Sequence, residues 1–378
     1  MDDPEDSPRN TAASRRDFIT GQPGQPPADA PDGEAIPAAS TDFLFQATRR
    51  IMACDFQVTL DAQLHPAGPE TAMAALDIVE QLDAELSVYR ESSQVSQLNQ
   101  LAARQPVAID PALFELLEHC RELWEQTDGA FDITSTPLSR AWGFYRREGR
   151  MPSTGEVEDA RAAVGSQWMK LEKKELTVHF EQPQLEINLG SIGKGYALDR
   201  CAAWLAADVE DFIIHGGYSS ILARGNRKME GADQDGWQVA VRHPLKPRER
   251  LIELTLKDCA AGTSGSANQF FYHGGKRYSH VLDPRSGWPA EGVLSATVLC
   301  RTAADADALA TAFFVMGIEQ ARQYVEEHPD VRAVLICPGT RSGATDVHLV
   351  GLPPDSWKLL SEAVNLVDHG TASTAGDF

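Results

Sequence analysis

Hydrophobic and polar positions alternate in two ways in the first half of the chain. Phe56, Val58 and Leu60 are separated by polar residues, which predicts a strand with one buried face. Apolar residues then recur every three or four positions from Glu70 to Tyr89, which predicts an amphipathic helix. A second helix is predicted from Pro111 to Gln126, because a proline in the first turn follows an aspartate that can serve as N-cap.

The second half of the chain contains a glycine loop between a predicted strand and a predicted helix. The strand is expected from Leu185 to Leu189 and the helix from Tyr196 to Ala207, with Gly190-Ser191-Ile192-Gly193-Lys194-Gly195 between them. Such a loop at a helix N-terminus exposes backbone N–H groups and a partial positive charge to a ligand. Its spacing differs from that of a Walker A loop, so an anion site and a plain tight turn both stay open. Ala260 to Ser266, rich in small residues, is expected to be another loop.

A helix predicted from Ala303 to Met316 carries two oxygen-bearing side chains on one face. Thr302 precedes it as the predicted N-cap, with Asp305 as its capping partner. Asp307 and Thr311 are four residues apart, which places both side chains on the same side of the helix. Carboxylate and hydroxyl oxygens are ligands that Mg²⁺ accepts. The alternative is that Asp307 only stabilises the helix N-terminus.

A histidine precedes a tight turn in the segment before this helix. Tyr278 to Leu282 alternates as a strand does, and Asp283-Pro284-Arg285-Ser286-Gly287 is typical of a turn. His280 is therefore predicted to lie on a strand, where an imidazole with a usual pKa of about 6.5 can exchange protons near neutral pH. The alternative is that His280 only forms a hydrogen bond within its own turn.

The composition excludes several classes of partner. The chain has 378 residues, of which 42% are hydrophobic, and a formal net charge of −21. Nucleic acids and anionic membranes are excluded as main partners, because both require clusters of Lys and Arg. No transmembrane segment is expected, since no run approaches the ~18 apolar residues that a spanning helix needs. The six cysteines include no CxxC pair, which favours a reducing compartment.

The composition also changes at both ends of the chain. Residues 1–40 are rich in Pro, Gly, Asp, Ser and Ala, which predicts a disordered tail. Residues 41–366 are expected to form one folded domain, and residues 367–378 a flexible C-terminal tail. Within the first tail, Ser14-Arg15-Arg16-Asp17-Phe18-Ile19 is similar to a twin-arginine export signal, but the apolar stretch of such signals is missing. A cytoplasmic location is therefore expected.

Five segments of the chain form an ordered set of short motifs. They are Tyr-x-x-x-Ser-x-x-Ser-x-Leu-Asn from Tyr89 to Asn99, Thr-Asp-Gly-Ala-Phe-Asp from Thr127 to Asp132, the glycine loop with Lys-Gly-Tyr-Ala-x-Asp from Leu189 to Asp199, Arg-Tyr-Ser-His-x-x-Asp-Pro-Arg-Ser-Gly from Arg277 to Gly287, and Ala-Asp-Ala-Leu-Ala-Thr-Ala from Ala306 to Ala312. In this order they resemble the ApbE family, the FAD:protein FMN transferases. The resemblance covers roughly residues 43–350.

The resemblance implies an α+β fold of two lobes with a flavin-nucleotide cleft between them. It implies that FAD donates FMN, through its phosphate, to a Thr or Ser hydroxyl in a flavinylation motif of a target protein. AMP is released, and Mg²⁺ sits at the pyrophosphate. By position, the metal ligands correspond to the backbone carbonyl of Ser191 and the side chains of Asp307 and Thr311. His280 corresponds to the general base, and Asp283 is expected to orient its imidazole. The flavin-nucleotide contacts correspond to Met52, Tyr89, Ala130, Phe131, Asp132, Asn188, Lys194 and Val281.

The chain departs from the family pattern at three places. Asn188 stands where an acidic residue is usual, Met52-Ala53-Cys54 replaces Met-Gly-Thr, and Tyr218 follows Gly216-Gly217 where Asp or Asn is common. Two other functions therefore stay open. One is a Mg²⁺-dependent FAD pyrophosphatase that uses water and yields FMN and AMP, and the other is a non-catalytic FAD-binding protein. The three functions differ in whether AMP release needs an acceptor protein and in whether FAD stays intact.

Overall fold

The computed structural model of the protein describes residues 44–227, 236–267, 269–341 and 343–370. The strands are β1 (Leu44–Ile51), β2 (Cys54–Asp61), β3 (Val107–Ala108), β4 (Met169–Glu172), β5 (Thr177–Phe180), β6 (Phe212–Gly216), β7 (Ser220–Arg224), β8 (Trp237–His243), β9 (Lys246–Leu256), β10 (Cys259–Gly265), β11 (Phe270–His273), β12 (Lys276–Ser279), β13 (Ser295–Cys300), β14 (Arg332–Pro338), β15 (Thr345–Val350), β16 (Trp357–Leu359) and β17 (Asn365–Asp368). The α-helices are α1 (Gly68–Leu86), α2 (Gln94–Leu101), α3 (Pro111–Gln126), α4 (Thr136–Ala141), α5 (Thr154–Ala162), α6 (Gly193–Leu205) and α7 (Ala303–Glu327).

Nine of these strands form one sheet in the order β1-β2-β6-β7-β10-β13-β14-β15-β17. Neighbouring strands are antiparallel except β15 and β17, which are parallel. Met52 and Ala53 join β1 to β2, and both have positive φ angles, as the tightest hairpin turns require. The smaller sheets have the orders β16-β9-β8, β3-β5-β4 and β11-β12. The chain is thus a mixture of helices and largely antiparallel strands, which confirms the predicted α+β class.

The two faces of the nine-stranded sheet are covered by different layers. Helices α1, α6 and α7 pack on one face, and the sheet β16-β9-β8 packs on the other. Adjacent residues of β10 show the division, because Ala260 belongs to the core under the helices and Ala261 to the core under the small sheet. This follows from the two-residue period of a strand. A third apolar cluster around Trp142 and Phe144 contacts the β11-β12 hairpin.

The small residues of β10 bring α7 close to the sheet. The prediction that Ala260 to Ser266 is a loop is wrong, because β10 lies in the middle of the nine-stranded sheet. A Cβ atom on Gly262 would overlap the backbone of Ala306 on α7, and one on Gly195 would overlap the carbonyl of Ala303. Glycine is therefore needed at both positions so that α7 can pack directly against β10 and α6.

The predicted helices are present, with changes at their ends. Helices α1 and α3 confirm the first two predictions, and α3 has the predicted bounds. Helix α6 begins at Gly193, three residues earlier than expected, so that it includes part of the glycine loop. Helix α7 extends beyond the predicted end at Met316 to Glu327, with an interruption at Gly317, where φ is 77°. No described helix is long and apolar enough to cross a membrane.

Two strand predictions and one domain boundary need correction. Residues 185–189 lie outside the sheets of the described chain. Strand β12 ends at Ser279, so that His280 follows the strand instead of lying on it. Strand β17 reaches Asp368, two residues beyond the predicted end of the folded domain. The predicted N-terminal tail, its twin-arginine-like segment and residues 371–378 lie outside the described residues.

Candidate active site

A buried carboxylate lies where the glycine loop meets the long helix. Oδ2 of Asp307 accepts hydrogen bonds from the backbone N–H of Gly195 and the hydroxyl of Ser220, both at 2.8 Å. The ammonium of Lys194 lies 3.4 Å from the same oxygen. Burial raises the pKa of Asp307, and Lys194 and the other two donors oppose this rise. Oδ1 accepts no hydrogen bond from the described residues, which leaves one oxygen for a ligand.

The N-termini of α6 and α7 are each capped by a carboxylate from the other helix. Asp307 of α7 binds the first-turn amide of Gly195 in α6. In return, Asp199 of α6 accepts hydrogen bonds from the amides of Ala303 and Ala304, at 2.8 and 2.9 Å. Burial raises the pKa of Asp199 to about 6, although the two amides favour its charged form. This reciprocal capping fixes Asp307 relative to the glycine loop.

The start of α7 also has the predicted local cap. The hydroxyl of Thr302 accepts a hydrogen bond from the backbone N–H of Asp305 at 3.1 Å, which confirms the capping prediction. The carboxylate of Asp305 lies 2.6 Å from Nε2 of His119 on α3, and this hydrogen bond raises the pKa of His119. The same hydrogen bond therefore links α3 to the N-terminus of α7.

The oxygen atoms proposed as metal ligands lie around this capped junction. The Thr311 hydroxyl is one turn from Asp307 and donates to the Asp307 carbonyl at 3.3 Å, and Ser191 lies in the turn just before α6. Among the described residues there is no group of three or more His, Cys, Asp and Glu that could hold a metal. One carboxylate, one hydroxyl and one carbonyl fit a hard cation that completes its shell with substrate oxygens or water, as Mg²⁺ usually does.

The side chain of Asn188 shapes the loop that leads into α6. Its Oδ1 accepts a hydrogen bond from the backbone N–H of Gly190 at 2.9 Å. The backbone N–H of Asn188 donates to the carbonyl of Ile133 at 2.7 Å. An asparagine amide can therefore hold this loop at the position where the sequence comparison expected an acidic residue.

The imidazole of His280 is largely buried beside the β11-β12 hairpin. Its Nδ1 lies 3.1 Å from the carbonyl oxygen of Gln269, and its backbone N–H donates to the same oxygen. A carbonyl can only accept, so Nδ1 carries the hydrogen and Nε2 carries the lone pair. Burial lowers the pKa of His280, and the bond to Gln269 only partly opposes this. The ring is therefore neutral near pH 7, with Nε2 able to accept a proton.

The predicted contact between Asp283 and His280 is wrong. The Asp283 carboxylate is held by the backbone N–H and the guanidinium of Arg285, at 2.9 to 3.2 Å. A hydrogen bond from the backbone N–H of Gly287 to the Asp283 carbonyl closes the turn. The carboxylate thus stabilises the turn, and the role of orienting the imidazole belongs to the Gln269 carbonyl.

Several residues assigned to flavin-nucleotide contacts have side chains inside the core. Ala130, Phe131 and Val281 are buried among apolar neighbours, so only their backbone atoms can reach a ligand. The carboxylate of Asp132 is also buried, and it accepts hydrogen bonds from the backbone N–H and hydroxyl groups of Thr134 and Ser166. Burial raises the pKa of Asp132. In this structure its side chain organises the loop between α3 and α4.

Two other assigned residues are accessible. Met52 lies half-buried in the β1-β2 turn, and Tyr89 is 73% exposed. The Tyr89 ring contacts the Tyr145 ring at a centroid distance of 5.7 Å, and the guanidinium of Arg140 lies 3.9 Å from the centroid of Tyr145. Exposed aromatic rings of this kind can contact a planar ligand.

Sequence reasoning missed three residues that hold this site together. Asp199 is the last residue of the third motif, so only its role was missed, whereas Ser220 lies outside the five motifs, two residues after Tyr218. Gln269 carries no signal in the sequence, because it acts through its backbone carbonyl, which every residue type provides.

Comparisons with known proteins agree with this arrangement. The sequence profile of the ApbE family matches residues 52–335. The FAD:protein FMN transferase of Vibrio cholerae is 30% identical over 268 residues, which are 69% of this chain and 78% of that protein. The enzyme of the same name from Haemophilus influenzae is 30% identical over 260 residues, covering 66% and 74%.

Solved structures resemble the chain along most of its length. The ApbE protein from Thermotoga maritima has a TM-score of 0.70 at 28% identity, and the alignment covers 80% of this chain and 96% of that one. The flavinyl transferase ApbE from Pseudomonas stutzeri has a TM-score of 0.71 at 27% identity, covering 82% and 95%.

Proposed function

The chain belongs to the ApbE family, and we propose that it transfers FMN from FAD to a Thr or Ser hydroxyl of an acceptor protein, with Mg²⁺ bound and AMP released. The observation that carries this proposal is the buried Asp307 at the N-terminus of α6. Three donors hold its Oδ2, and none of the described residues donates to its Oδ1. A pyrophosphate and its cation need such a combination of oxygen ligands and N–H donors.

The donor nucleotide is expected to bind at the start of α6. The amides of Gly193 and Gly195 are bonded to the Leu189 carbonyl and to Asp307, so the charge of a pyrophosphate would be met by the ammonium of Lys194 and the positive end of the α6 dipole. The distance from Nζ of Lys194 to Oδ2 of Asp307 is 3.4 Å, which is longer than in a strong charge-assisted hydrogen bond. The ammonium can therefore shift to a phosphate oxygen. Asp307, Thr311 and Ser191 would hold Mg²⁺, and the bound cation would neutralise negative charge on the phosphates.

The acceptor hydroxyl is expected to react beside His280. Nε2 of the neutral imidazole takes the hydroxyl proton as the acceptor oxygen bonds to the phosphorus of the FMN moiety. The bond from that phosphorus to the bridging oxygen breaks, and AMP leaves with the bridging oxygen. The hydrogen bond from Nδ1 to Gln269 fixes the tautomer that this step needs.

The experiment that tests the proposal compares FAD cleavage with and without an acceptor. Purified protein is incubated with FAD and Mg²⁺, alone or with a small domain that carries a flavinylation motif with its Thr or Ser. AMP is followed by chromatography and flavin by fluorescence in a denaturing gel. The same domain with its motif Ser or Thr changed to Ala is the control.

We expect a fluorescent band only on the intact acceptor and AMP release that depends on it. AMP release without any acceptor would show an FAD pyrophosphatase instead. Bound FAD that stays intact for hours with both Mg²⁺ and acceptor present would show a flavin-binding protein without this chemistry.

A further inference from the structure

A cavity of about 830 Å³ opens between the nine-stranded sheet and the β8-β9 hairpin. Ala261 and Thr263 of β10 line it, whereas Gly262 between them faces α7. The cavity therefore lies on the side of the sheet opposite to α7 and to the glycine loop. The residues assigned to the donor nucleotide do not line it.

The wall of this cavity combines apolar residues of both sheets with several polar side chains. Leu299 belongs to the apolar cluster beneath the small sheet, whereas Thr263 and Thr297, which share a 2.9 Å hydrogen bond, line the cavity. Two buried atoms in the lining, Nδ1 of His215 and Oε1 of Gln238, have no hydrogen-bond partner among the described residues. An unpaired buried polar atom costs about 1–3 kcal/mol. The cavity is therefore suited to a ligand with both donors and acceptors.

The rim of the cavity carries a pair of like charges. Arg242 of β8 and Arg250 of β9 lie directly opposite each other, are exposed and line the cavity. Neither forms a salt bridge with a carboxylate in the described part of the chain, although Glu253 also lines the cavity. Like charges directly opposite on neighbouring strands destabilise a sheet. In a chain with a net charge of −21, this pair is a local site for an anionic group.

The cavity reaches two segments of the chain that continue into the candidate active site. Ser219 lines it, and the next residue, Ser220, donates to Asp307. Ala267 lines it as well and lies two residues before Gln269, whose carbonyl holds His280. A segment bound in the cavity would thus contact the two chain segments whose next residues hold Asp307 and His280.

We propose that this cavity binds an extended, acidic segment of the acceptor protein, an inference that rests on the proposed transferase function. A polypeptide backbone supplies the N–H that Oε1 of Gln238 lacks and either partner for His215. A carboxylate on the segment pairs with Arg242 and Arg250. The exposed ring of Tyr218, stacked on His215 at 4.2 Å, gives an apolar surface for a side chain of the segment.

The test measures the steady-state kinetics of FMN transfer to the purified acceptor domain. Arg242 and Arg250 are changed together to Ala, and Arg248→Ala, on the same strand but outside the cavity lining, is the matched control. The double variant is expected to raise the KM for the acceptor about 2- to 30-fold, since exposed ion pairs contribute about 0.2–1 kcal/mol each. The kcat and the Kd for FAD, measured by flavin fluorescence, should not change. Tyr218→Ala is expected to raise the same KM.

The outcomes separate this inference from the function on which it rests. An acceptor KM unchanged in both the double variant and Tyr218→Ala would overturn the inference and leave the transferase intact. A weaker affinity for FAD with an unchanged acceptor KM would assign the cavity to the donor and would also overturn it. A wild-type protein that never labels the acceptor would refute the transferase function, and the inference with it.

Discussion

Ser220→Ala is expected to weaken metal binding without removing a metal ligand. Ser220 is fully buried, and its hydroxyl is one of three donors that hold Oδ2 of Asp307. A hydrogen bond to a charged group contributes about 1.5–3 kcal/mol, and 1.4 kcal/mol corresponds to a factor of ten. Without this bond the carboxylate can rotate, so that Oδ1 is no longer fixed toward the cation. We expect the affinity for the divalent cation to fall about 10- to 100-fold, as for other residues that orient metal ligands.

The assay titrates Mn²⁺, used as a spectroscopic substitute for Mg²⁺, and follows free Mn²⁺ by electron paramagnetic resonance. Ser220→Cys keeps the volume but offers a weaker donor, and it should give an intermediate affinity. Thr71→Ala is the matched control, because the buried Thr71 hydroxyl also donates to a carboxylate, that of Asp208 at 3.1 Å, away from α7. If Ser220→Ala lowered the melting temperature but bound Mn²⁺ as tightly as wild type, Ser220 would only be structural, and our reasoning would be refuted.

Other substitutions test the remaining parts of the site and the fold. Asp307→Ala should abolish Mg²⁺ dependence and most transfer with helix content unchanged by circular dichroism, since alanine favours helices; full activity would disprove the metal assignment. His280→Ala should keep the Kd for FAD but slow transfer about 100-fold or more. In wild type, kcat/KM should fall only below pH 6.5, because burial lowers the pKa of His280 and the neutral ring is the active form; an acid limb above that pH would contradict the assignment. Gly262→Ala should lower the free energy of unfolding in urea by about 3 kcal/mol, because its Cβ overlaps Ala306. Gly265→Ala on the same strand has space for a methyl group and should change it by less than about 1 kcal/mol.

Periodicity and local signals predicted the helices well. The bounds of α3 and the N-cap of α7 followed from a proline, a threonine and an aspartate at defined positions. These signals act within a few residues, so they can be read before the tertiary structure is known. Asp307 and Thr311 could also be placed on one face of a helix from spacing alone.

Residues whose roles depend on distant parts of the chain were predicted less well. β10 was taken for a loop because its small side chains give no apolar alternation, although they are needed for contact with α7. Asp283 was paired with His280 because they are close in sequence, whereas its carboxylate bonds to Arg285. The predicted cleft between two lobes and the cytoplasmic location stay predictions.

The reciprocal capping of α6 and α7 also bears on the order in which the protein folds. The amide of Gly195 and the carboxylate of Asp307 are 112 positions apart, and Asp199 and Ala303 are 104 apart. Contacts of such long range form only after the entropy of closing a large loop has been overcome. During synthesis, the start of α6 therefore lacks its partner until β10, β13 and the first turns of α7 have left the ribosome. The geometry of the proposed nucleotide site would then be among the last features to appear, so that we expect a partly folded chain not to bind FAD.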